Sequence, residues 1–451
     1  MFKKLGFIFN SYLNKGNARS VKARKNTIFL IFIRVFTLPI SFLLVPLTLG
    51  FVNSDTYGIW ITLSSIVAWM SFFDIGLGNG LRNKLAESLA HNNLLLARKY
   101  ISTTFAILSL ISIFIFFLFL GINKFMDWSS FLNVSKDFKE PLSKVTVIIV
   151  SYFCLRFVLS IIQTILLAKQ EPSKVAFQTF IEQIITLSVV FVLTKFTSGS
   201  LVNLSLALCI PPVLVLFFFN FYYFAFSFKN ISPSIKSVDF KLSKSLFGVG
   251  FKFFIIQIAG IIQFQTANYI IIRNFGAGDV TVYNIAFKYF NILMLIMTIF
   301  IAPLWSAVTD AYAKNDTRWI ENAEKKYRKI ALILIVTGLL MLIVANSVYN
   351  TWLGKNVVKI PFNVSLHLFI FNSLLIFGSV YCNILNGLNK LSIQFKASLF
   401  SPLLFIFLNF IFLKKFNLGL YSVIFAASIS NFNGYLLAPI QYFNWIRKLK
   451  K

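Results

Sequence analysis

Residues 101–121 read ISTTFAILSLISIFIFFLFLG, a predominantly apolar run without a charged side chain. A helix needs about 20 such residues to cross roughly 30 Å of hydrocarbon. The strands of a membrane barrel would be about ten residues long and would alternate polar with apolar side chains. Since only a helix satisfies its own backbone hydrogen bonds in lipid, this stretch predicts a transmembrane α-helix.

The rest of the chain repeats this pattern. Of its 451 residues, 58% are hydrophobic and 13% are charged, and a soluble protein of that composition would expose large apolar patches. We therefore predict an all-α polytopic membrane protein with about twelve transmembrane helices. The predicted spans are 27–50, 57–78, 101–121, 144–168, 175–195, 201–226, 248–273, 282–308, 330–350, 363–386, 392–413 and 419–443.

The basic residues flank the apolar blocks. A net charge of +29 would indicate a nucleic-acid partner for a soluble protein, but here the positions of the charges indicate topology, and no nucleic acid is expected. If both termini are cytoplasmic, the inner segments carry about three times as many Lys and Arg as the outer ones. The first apolar block is too long for a cleaved signal peptide, so we expect it to stay attached as the first span.

A weak internal repeat relates the two halves of the chain. The segment 55–59 resembles 281–285, and 90–93 resembles 313–316. Six plus six spans place the halves in the same orientation, as two six-helix bundles around a central cavity. The predicted domains are a basic cytoplasmic N-terminus at 1–26, bundles at 27–226 and 248–443, a cytoplasmic linker at 227–247, and a basic cytoplasmic tail at 444–451.

Ionisable side chains inside the hydrocarbon mark candidate sites because burying a charge there costs several kcal/mol. Arg156 lies about 12 residues into its span, or roughly 18 Å deep, and Tyr152, Ser160 and Gln163 share its helical face. This stripe predicts a wet cavity or, alternatively, an interhelical hydrogen-bond network. Arg34 and Lys288 are closer to span ends, so each is either a site residue or a side chain that snorkels to the surface.

Other polar side chains share faces with these cations. Glu182 is expected to pair with Arg156 or Arg34, or to bind a coupling H⁺ or Na⁺. The amides suit sugar hydroxyls, although interhelical bonding is their commoner role. The predicted substrate-binding candidates are Arg156, Arg34, Lys288, Gln163, Asn284, Asn291, Gln265 and Asn268.

The sequence lacks the motifs of several enzyme classes. It has no Walker loop, nucleotide fingerprint or hydrolase serine elbow. His367 stands without Cys, Asp or Glu at ligand spacing, so a metal site is not expected. We predict no catalytic residue, no metal and no cofactor, and energy from an ion gradient or from the substrate itself.

Residues 72–86, FFDIGLGNGLRNKLA, resemble the end of the second span in the bacterial O-antigen and capsule polysaccharide flippases. These belong to the multidrug/oligosaccharidyl-lipid/polysaccharide exporter (MOP) superfamily. The glycines would end the helix at the cytoplasmic face. Alternatively, the segment is only a helix stop followed by an amphipathic surface helix. The proposed interface motif consists of Asp74, Gly76, Gly78, Arg82 and Lys84.

The resemblance implies a MATE-like, V-shaped pair of bundles that alternates between inward-open and outward-open states in the bacterial inner membrane. It also implies an undecaprenyl-diphosphate-linked oligosaccharide substrate, used for O-antigen, capsule or another surface polysaccharide. A cationic cavity would suit the pyrophosphate. The expected partners are membrane lipids, this lipid-linked oligosaccharide, and the polysaccharide polymerase and chain-length machinery, with the protein itself a monomer.

Three alternatives remain at this stage. A multidrug exporter of the same superfamily would need cavity acids for cationic substrates, but the first span carries Arg34 and no acid. A lipid II flippase would have two additional helices. A membrane-embedded glycan polymerase or ligase would need a sizeable external loop with catalytic residues, whereas the longest predicted one lies between Gly121 and Lys144.

Overall fold

The computed structural model describes residues 18–69, 77–169, 171–246, 265–301, 304–313, 315–355, 357–388, 390 and 392–449. Within these ranges every regular element is helical. The helices are α1 (Ala18–Phe51), α2 (Ser54–Ala68), α3 (Leu77–Ala90), α4 (Leu94–Phe125), α5 (Trp128–Leu132), α6 (Lys139–Leu159), α7 (Ile161–Ala168), α8 (Pro172–Phe196), α9 (Leu201–Tyr222), α10 (described over 265–274), α11 (Ala277–Ile301), α12 (Leu304–Ala313), α13 (Thr317–Leu353), α14 (Phe362–Gly387), α15 (Ser392–Phe410), α16 (Tyr421–Ser430) and α17 (Ala438–Leu449).

The all-α polytopic class is confirmed. In the described part of the chain, nine helices are long and apolar enough to cross a membrane, and the pair Tyr421–Ser430 and Asn433–Lys448, bent by 41°, makes a tenth. These ten coincide with ten of the twelve predicted spans. The other two, 57–78 and 248–273, run over residues outside the described ranges, and their described parts are α2 and α10.

The internal repeat is visible in two turns of the backbone. Asn92 before α4 and Asn315 before α13 both adopt left-handed conformations, with φ of 54° and 56°. The next residues, Asn93 and Asp316, cap these helices by accepting hydrogen bonds from the backbone N–H groups of Leu96 and Trp319. The two halves therefore enter their third predicted span through the same turn.

The helices form two compact units, each with its own core. Unit 1 comprises the described parts of Met1–Val52, Met70–Ser129 and Lys136–Phe254; unit 2 comprises those of Asn53–Trp69, Ser130–Ser135 and Ile255–Lys451. Helix α2 therefore packs with helices from the second half of the chain. The boundaries predicted for the six-helix bundles at residues 226 and 248 stay a prediction.

Close backbone packing explains the place of α2 in unit 2. Gly58 lies directly against the backbone of Ala277 at the start of α11, and a Cβ at Gly58 would collide with the Ala277 carbonyl. Ser54 lies one turn before Gly58 on α2, and its carbonyl oxygen accepts a hydrogen bond from the Thr281 hydroxyl of α11 over 2.7 Å. Small residues allow such close approach, which supplies the van der Waals contact that holds helices together in lipid.

In unit 1, α3 is an amphipathic helix that packs against the membrane-spanning helices α4 and α7. Its residues Leu77, Leu81 and Leu85 are fully buried in a cluster with α4 and α7. Gly80 on the same face lies so close to the Leu246 carbonyl that no larger residue fits without a shift. Spacings of three and four residues place Leu77, Gly80, Leu81 and Leu85 on one side of the helix.

Candidate functional site

The Arg156 and Glu182 side chains form an ion pair inside unit 1. The distance from Arg156 Nη1 to Glu182 Oε2 is 3.2 Å. The Gln178 amide donates to the other carboxylate oxygen over 3.1 Å, and the guanidinium lies 5.8 Å from the centre of the Tyr152 ring. Of the two partners considered for Glu182, the structure therefore places Arg156 against it.

The two halves of this ion pair differ in exposure. The Glu182 side chain is 5% exposed, whereas that of Arg156 is 32% exposed. Helices α6 and α8 both pack against α9, and Arg156 extends from α6 to reach the acid on α8. The carboxylate is thus nearly covered by protein, while part of the arginine side chain is not.

The helix that carries Arg156 is interrupted one turn later. α6 ends at Leu159 and α7 begins at Ile161, with Ser160 at φ −67° and ψ −8°. The Asn220 amide on α9 donates to the Leu159 carbonyl over 2.8 Å, which satisfies a carbonyl at the break. The predicted stripe is therefore split, with Arg156 before the break and half-buried Gln163 after it.

Two predicted binding residues in unit 2 contact each other instead of standing apart. Asn268 on α10 is 5% exposed and donates to the Ser65 hydroxyl over 2.7 Å. Asn284 on α11 donates to the Asn268 side-chain oxygen over 2.8 Å. This chain links α2, α10 and α11, which matches the interhelical role considered for these amides.

The other candidates in unit 2 lie on the two helices that carry Asn268 and Asn284. Lys288 and Asn291 follow Asn284 on α11 at spacings of four and three, and both are half-buried. Gln265, at the first described position of α10, is also half-buried. The structure thus brings together Asn268 and Asn284 and leaves the roles of the other three as predictions.

Arg34 lies on the exposed face of α1. Its side chain is exposed, and the neighbouring Phe32 and Val35 are 57% and 60% exposed. Ile33, by contrast, is buried, since α1 packs against α8. The structure therefore places Arg34 on the face of α1 turned away from the core of unit 1.

The proposed interface motif lies partly in α3. Asp74 and Gly76 fall outside the described residues. Of the others, Gly78 is half-buried and Arg82 is exposed, and the Lys84 ammonium donates to Glu87 over 2.9 Å. This hydrogen bond raises the pKa of Lys84 and lowers the pKa of Glu87. The described part of the motif is an amphipathic helix, as the alternative interpretation expected.

A second ion pair, in unit 2, was not anticipated from the sequence. Glu324 on α13 is buried, and it pairs with Arg328 over 3.3 Å. The Tyr381 hydroxyl on α14 donates to the same carboxylate over 2.8 Å. The spacing of four between Glu324 and Arg328 was the available signal, while Tyr381 is 57 residues away from Glu324 in the sequence.

The Arg156 arrangement can bind an anion. A guanidinium has five N–H donors in a planar fork that fits carboxylate and phosphate oxygens. The hydrogen bond to Glu182 uses one nitrogen, Nη1, and orients the fork. A pre-oriented cation loses little entropy when a phosphate binds, so this position suits a negatively charged head group.

No family model matches the chain. A relative from Yersinia pseudotuberculosis, described as an O-antigen export protein, is 22% identical over 68% of this chain and 69% of its own length. A relative from Salmonella typhi, described as an O-antigen transporter, is 23% identical over 65% of each chain. The predicted resemblance to O-antigen flippases is confirmed at this level.

Solved transporter structures share the fold. A multidrug resistance MATE transporter of the MOP superfamily, in an inward-facing conformation, has a TM-score of 0.75 at 14% identity, covering 92% of this chain and 98% of that one. The outward-facing form of a MATE transporter has a TM-score of 0.62 at 16% identity, with 97% and 98% covered. A MOP superfamily transporter from Pyrococcus furiosus, whose reversed pocket polarity suggests a different function, has a TM-score of 0.66 at 15% identity, with 97% and 98% covered. The chain is a multi-pass membrane protein with the MATE-like fold.

Proposed function

We propose that this chain, which has the fold of the MOP transporters and resembles O-antigen exporters in sequence, is a flippase for lipid-linked oligosaccharides. It moves undecaprenyl-diphosphate-linked repeat units from the cytoplasmic to the outer leaflet of the bacterial inner membrane by alternating access, for O-antigen, capsule or another surface polysaccharide. Both termini lie in the cytoplasm. The observation that supports this most is the partly exposed Arg156 side chain, paired with the buried Glu182 carboxylate.

The negative charge of the proposed substrate explains why an arginine at position 156 would suit the binding site. A diphosphate must lose water when it crosses the hydrocarbon, and a guanidinium replaces that water with paired hydrogen bonds. Glu182 and the Tyr152 ring contact the guanidinium, and 32% of the arginine side chain stays exposed. Arg34 and Lys288 would extend the positive potential along the route.

A multidrug exporter is the second candidate, and the same ion pair argues against it. A cationic drug needs an acid that it can reach, but the Glu182 side chain is 5% exposed and already faces Arg156. The Pyrococcus furiosus transporter, for which reversed pocket polarity suggests a different function, gives precedent for one fold with pockets of opposite charge. A glycan polymerase or ligase is disfavoured because the relatives are described as transporters.

The coupling ion in this proposal acts at Glu182. When the Arg156 guanidinium donates hydrogen bonds to the substrate diphosphate, the Glu182 carboxylate loses part of the positive charge that compensates it in a low-dielectric site. Uptake of H⁺ or Na⁺ would restore neutrality there. The proposed partners are the lipid-linked oligosaccharide, the surrounding lipids and the polysaccharide polymerase with its chain-length machinery, and the flippase itself is a monomer without metal or catalytic residues.

Complementation of a strain that lacks its own flippase tests this function. We expect the wild-type chain to restore surface glycan, Arg156→Ala to abolish it, and Arg156→Lys to restore a minor part, because an ammonium lacks the planar fork. Arg318→Ala removes an exposed arginine on α13 and serves as the matched control. Membrane insertion and amount are measured by immunoblot, and normal glycan from inserted Arg156→Ala would exclude Arg156 from the site.

A second measurement separates transport from synthesis. In cells with Arg156→Ala, lipid-linked repeat units should accumulate on the cytoplasmic leaflet, where a soluble periplasmic glycosidase cannot reach them. If the repeat units instead reach the outer leaflet and fail to polymerise, the chain acts after translocation and the flippase proposal is wrong. Drug susceptibility should be equal in all strains, whereas a loss of resistance in Glu182→Gln would favour the exporter.

A further inference from the structure

We propose that unit 1 holds the head group of an anionic phospholipid in a cavity at the end predicted to face the cytoplasm. The cavity has a volume of about 340 Å³ and is lined by the end of α3, the start of α4, the end of α7 and the segment after α9. Two of its lining residues, Lys169 and Lys229, are basic, and two others, Leu94 and Phe226, are exposed and apolar.

A stacked aromatic pair builds the basic side of this cavity. Helix α9 continues into a π-helical turn, Tyr223–Ser227, after which the Phe228 N–H donates to the Tyr223 carbonyl over 2.6 Å. The turn folds the two rings onto each other, with centres 5.0 Å apart and planes at 16°. Both rings are buried, at 6% and 5% exposure, so the pair is a rigid platform.

The platform positions ammonium groups. The Lys169 ammonium lies 4.2 Å from the centre of the Phe228 ring, and that of Lys174 lies 5.7 Å from the centre of the Tyr223 ring. Glu171 is 2.8 Å from Lys174 and offsets its charge. Lys229 follows Phe228 directly and is exposed. The cavity therefore has a net positive charge that an acidic head group would neutralise.

The apolar rim distinguishes a lipid from a soluble phosphate. Phe226, which lines the cavity, is 70% exposed, and Tyr222 one turn before it is 55% exposed. Leu94, which also lines the cavity, is 44% exposed. Such residues at a span end lie at the membrane boundary, where aromatic rings sit at head-group level. A ligand with phosphate at the lysines and acyl chains along Phe226 fits both sides of the cavity.

The size of the cavity is compatible with a lipid head group, and its charge favours an anionic one. A volume of about 340 Å³ is at the lower end of small-ligand sites and admits a glycerophosphate group. Two lysines at the membrane surface favour an anionic lipid such as phosphatidylglycerol over a zwitterionic one. This site lies at the predicted cytoplasmic surface, and it does not depend on the transported substrate or on Arg156.

Binding of defined lipids to the purified full chain in neutral detergent tests the proposal. We expect phosphatidylglycerol to raise the thermal unfolding midpoint and phosphatidylcholine of equal chain length to have a much smaller effect. In Lys169→Ala/Lys229→Ala, the apparent affinity for phosphatidylglycerol should fall about fivefold for each lysine removed. The single variant Lys229→Ala, at an exposed position, gives a second measurement if the double variant folds poorly.

The control variant removes the same charge elsewhere. Lys236→Ala/Lys244→Ala changes two exposed lysines of the linker that do not line the cavity, and it should bind phosphatidylglycerol like the wild type. Equal losses in both double variants, or equal stabilisation by both lipids, would overturn the proposal in favour of non-specific attraction. Competition by glycerol 1-phosphate at the lipid's own concentration would assign the cavity to a soluble phosphate instead. Arg156→Ala should bind the lipid normally. A failure of the lipid-binding proposal can therefore be told apart from a failure of the proposed flippase function.

Discussion

The Arg156 guanidinium and the Glu182 carboxylate lie 3.2 Å apart, yet 32% of the arginine side chain is exposed and only 5% of the glutamate side chain. Removing one partner of a buried ion pair leaves an uncompensated charge, which costs more than removing both partners. The asymmetry in exposure has a further consequence, because a side chain that protein covers only in part can find other compensation when its partner is lost, whereas a buried carboxylate cannot.

This asymmetry predicts that Arg156→Gln destabilises unit 1 more than Glu182→Gln does. The first variant should cost about 3 kcal/mol, because it leaves the buried carboxylate uncompensated. The second should cost about 1 kcal/mol, because the new amide oxygen still accepts a hydrogen bond from Arg156. The variant Arg156→Gln/Glu182→Gln should be more stable than Arg156→Gln alone. Thermal unfolding in detergent measures all three, and strictly additive losses would show that the pair does not interact.

Replacing Gly58 should disrupt the contact between α2 and α11. A Cβ at this position meets the Ala277 carbonyl oxygen, so Gly58→Ala forces the two helices apart, and we expect a loss of about 2 kcal/mol. Gly50→Ala is the matched control, since no atom lies within 4 Å of its Cβ. Equal unfolding midpoints for the two variants would contradict the close packing.

The buried amides of unit 2 should act as a structural link and not as ligands of the substrate. Asn268→Ala removes the hydrogen bonds to Ser65 and Asn284, which we expect to cost about 1 kcal/mol. Combination with Asn284→Ala should add little, because the bond between the two amides is already lost. Surface glycan at low temperature should remain near normal. A loss of glycan without a loss of stability would instead assign Asn268 to the substrate path.

The spans could be predicted from the sequence because the bilayer requires long apolar helices, and ten of the twelve fall on described helices of the right length. The residues of the ion pair could also be named, since charges in lipid need partners. The sequence did not reveal that Asn268 contacts Asn284, or that α2 packs in unit 2, because hydropathy does not specify which helices are neighbours. The break at Ser160 was missed because neither Gly nor Pro marks it.

Tyr381 is the residue whose role is hardest to infer from sequence, and its hydroxyl gives the last prediction. Tyr381→Phe removes the donor to buried Glu324 and leaves the ion pair between Arg328 and that carboxylate in place. Because a hydrogen bond to a charged group contributes about 1.5–3 kcal/mol, the unfolding midpoint should fall by several degrees. Tyr435→Phe, at a half-buried tyrosine, should leave it unchanged. If the Glu324→Gln variant is as sensitive to the loss of this hydroxyl as the wild type, the bond does not depend on the charge of Glu324, and the larger contribution expected for a charged acceptor is wrong.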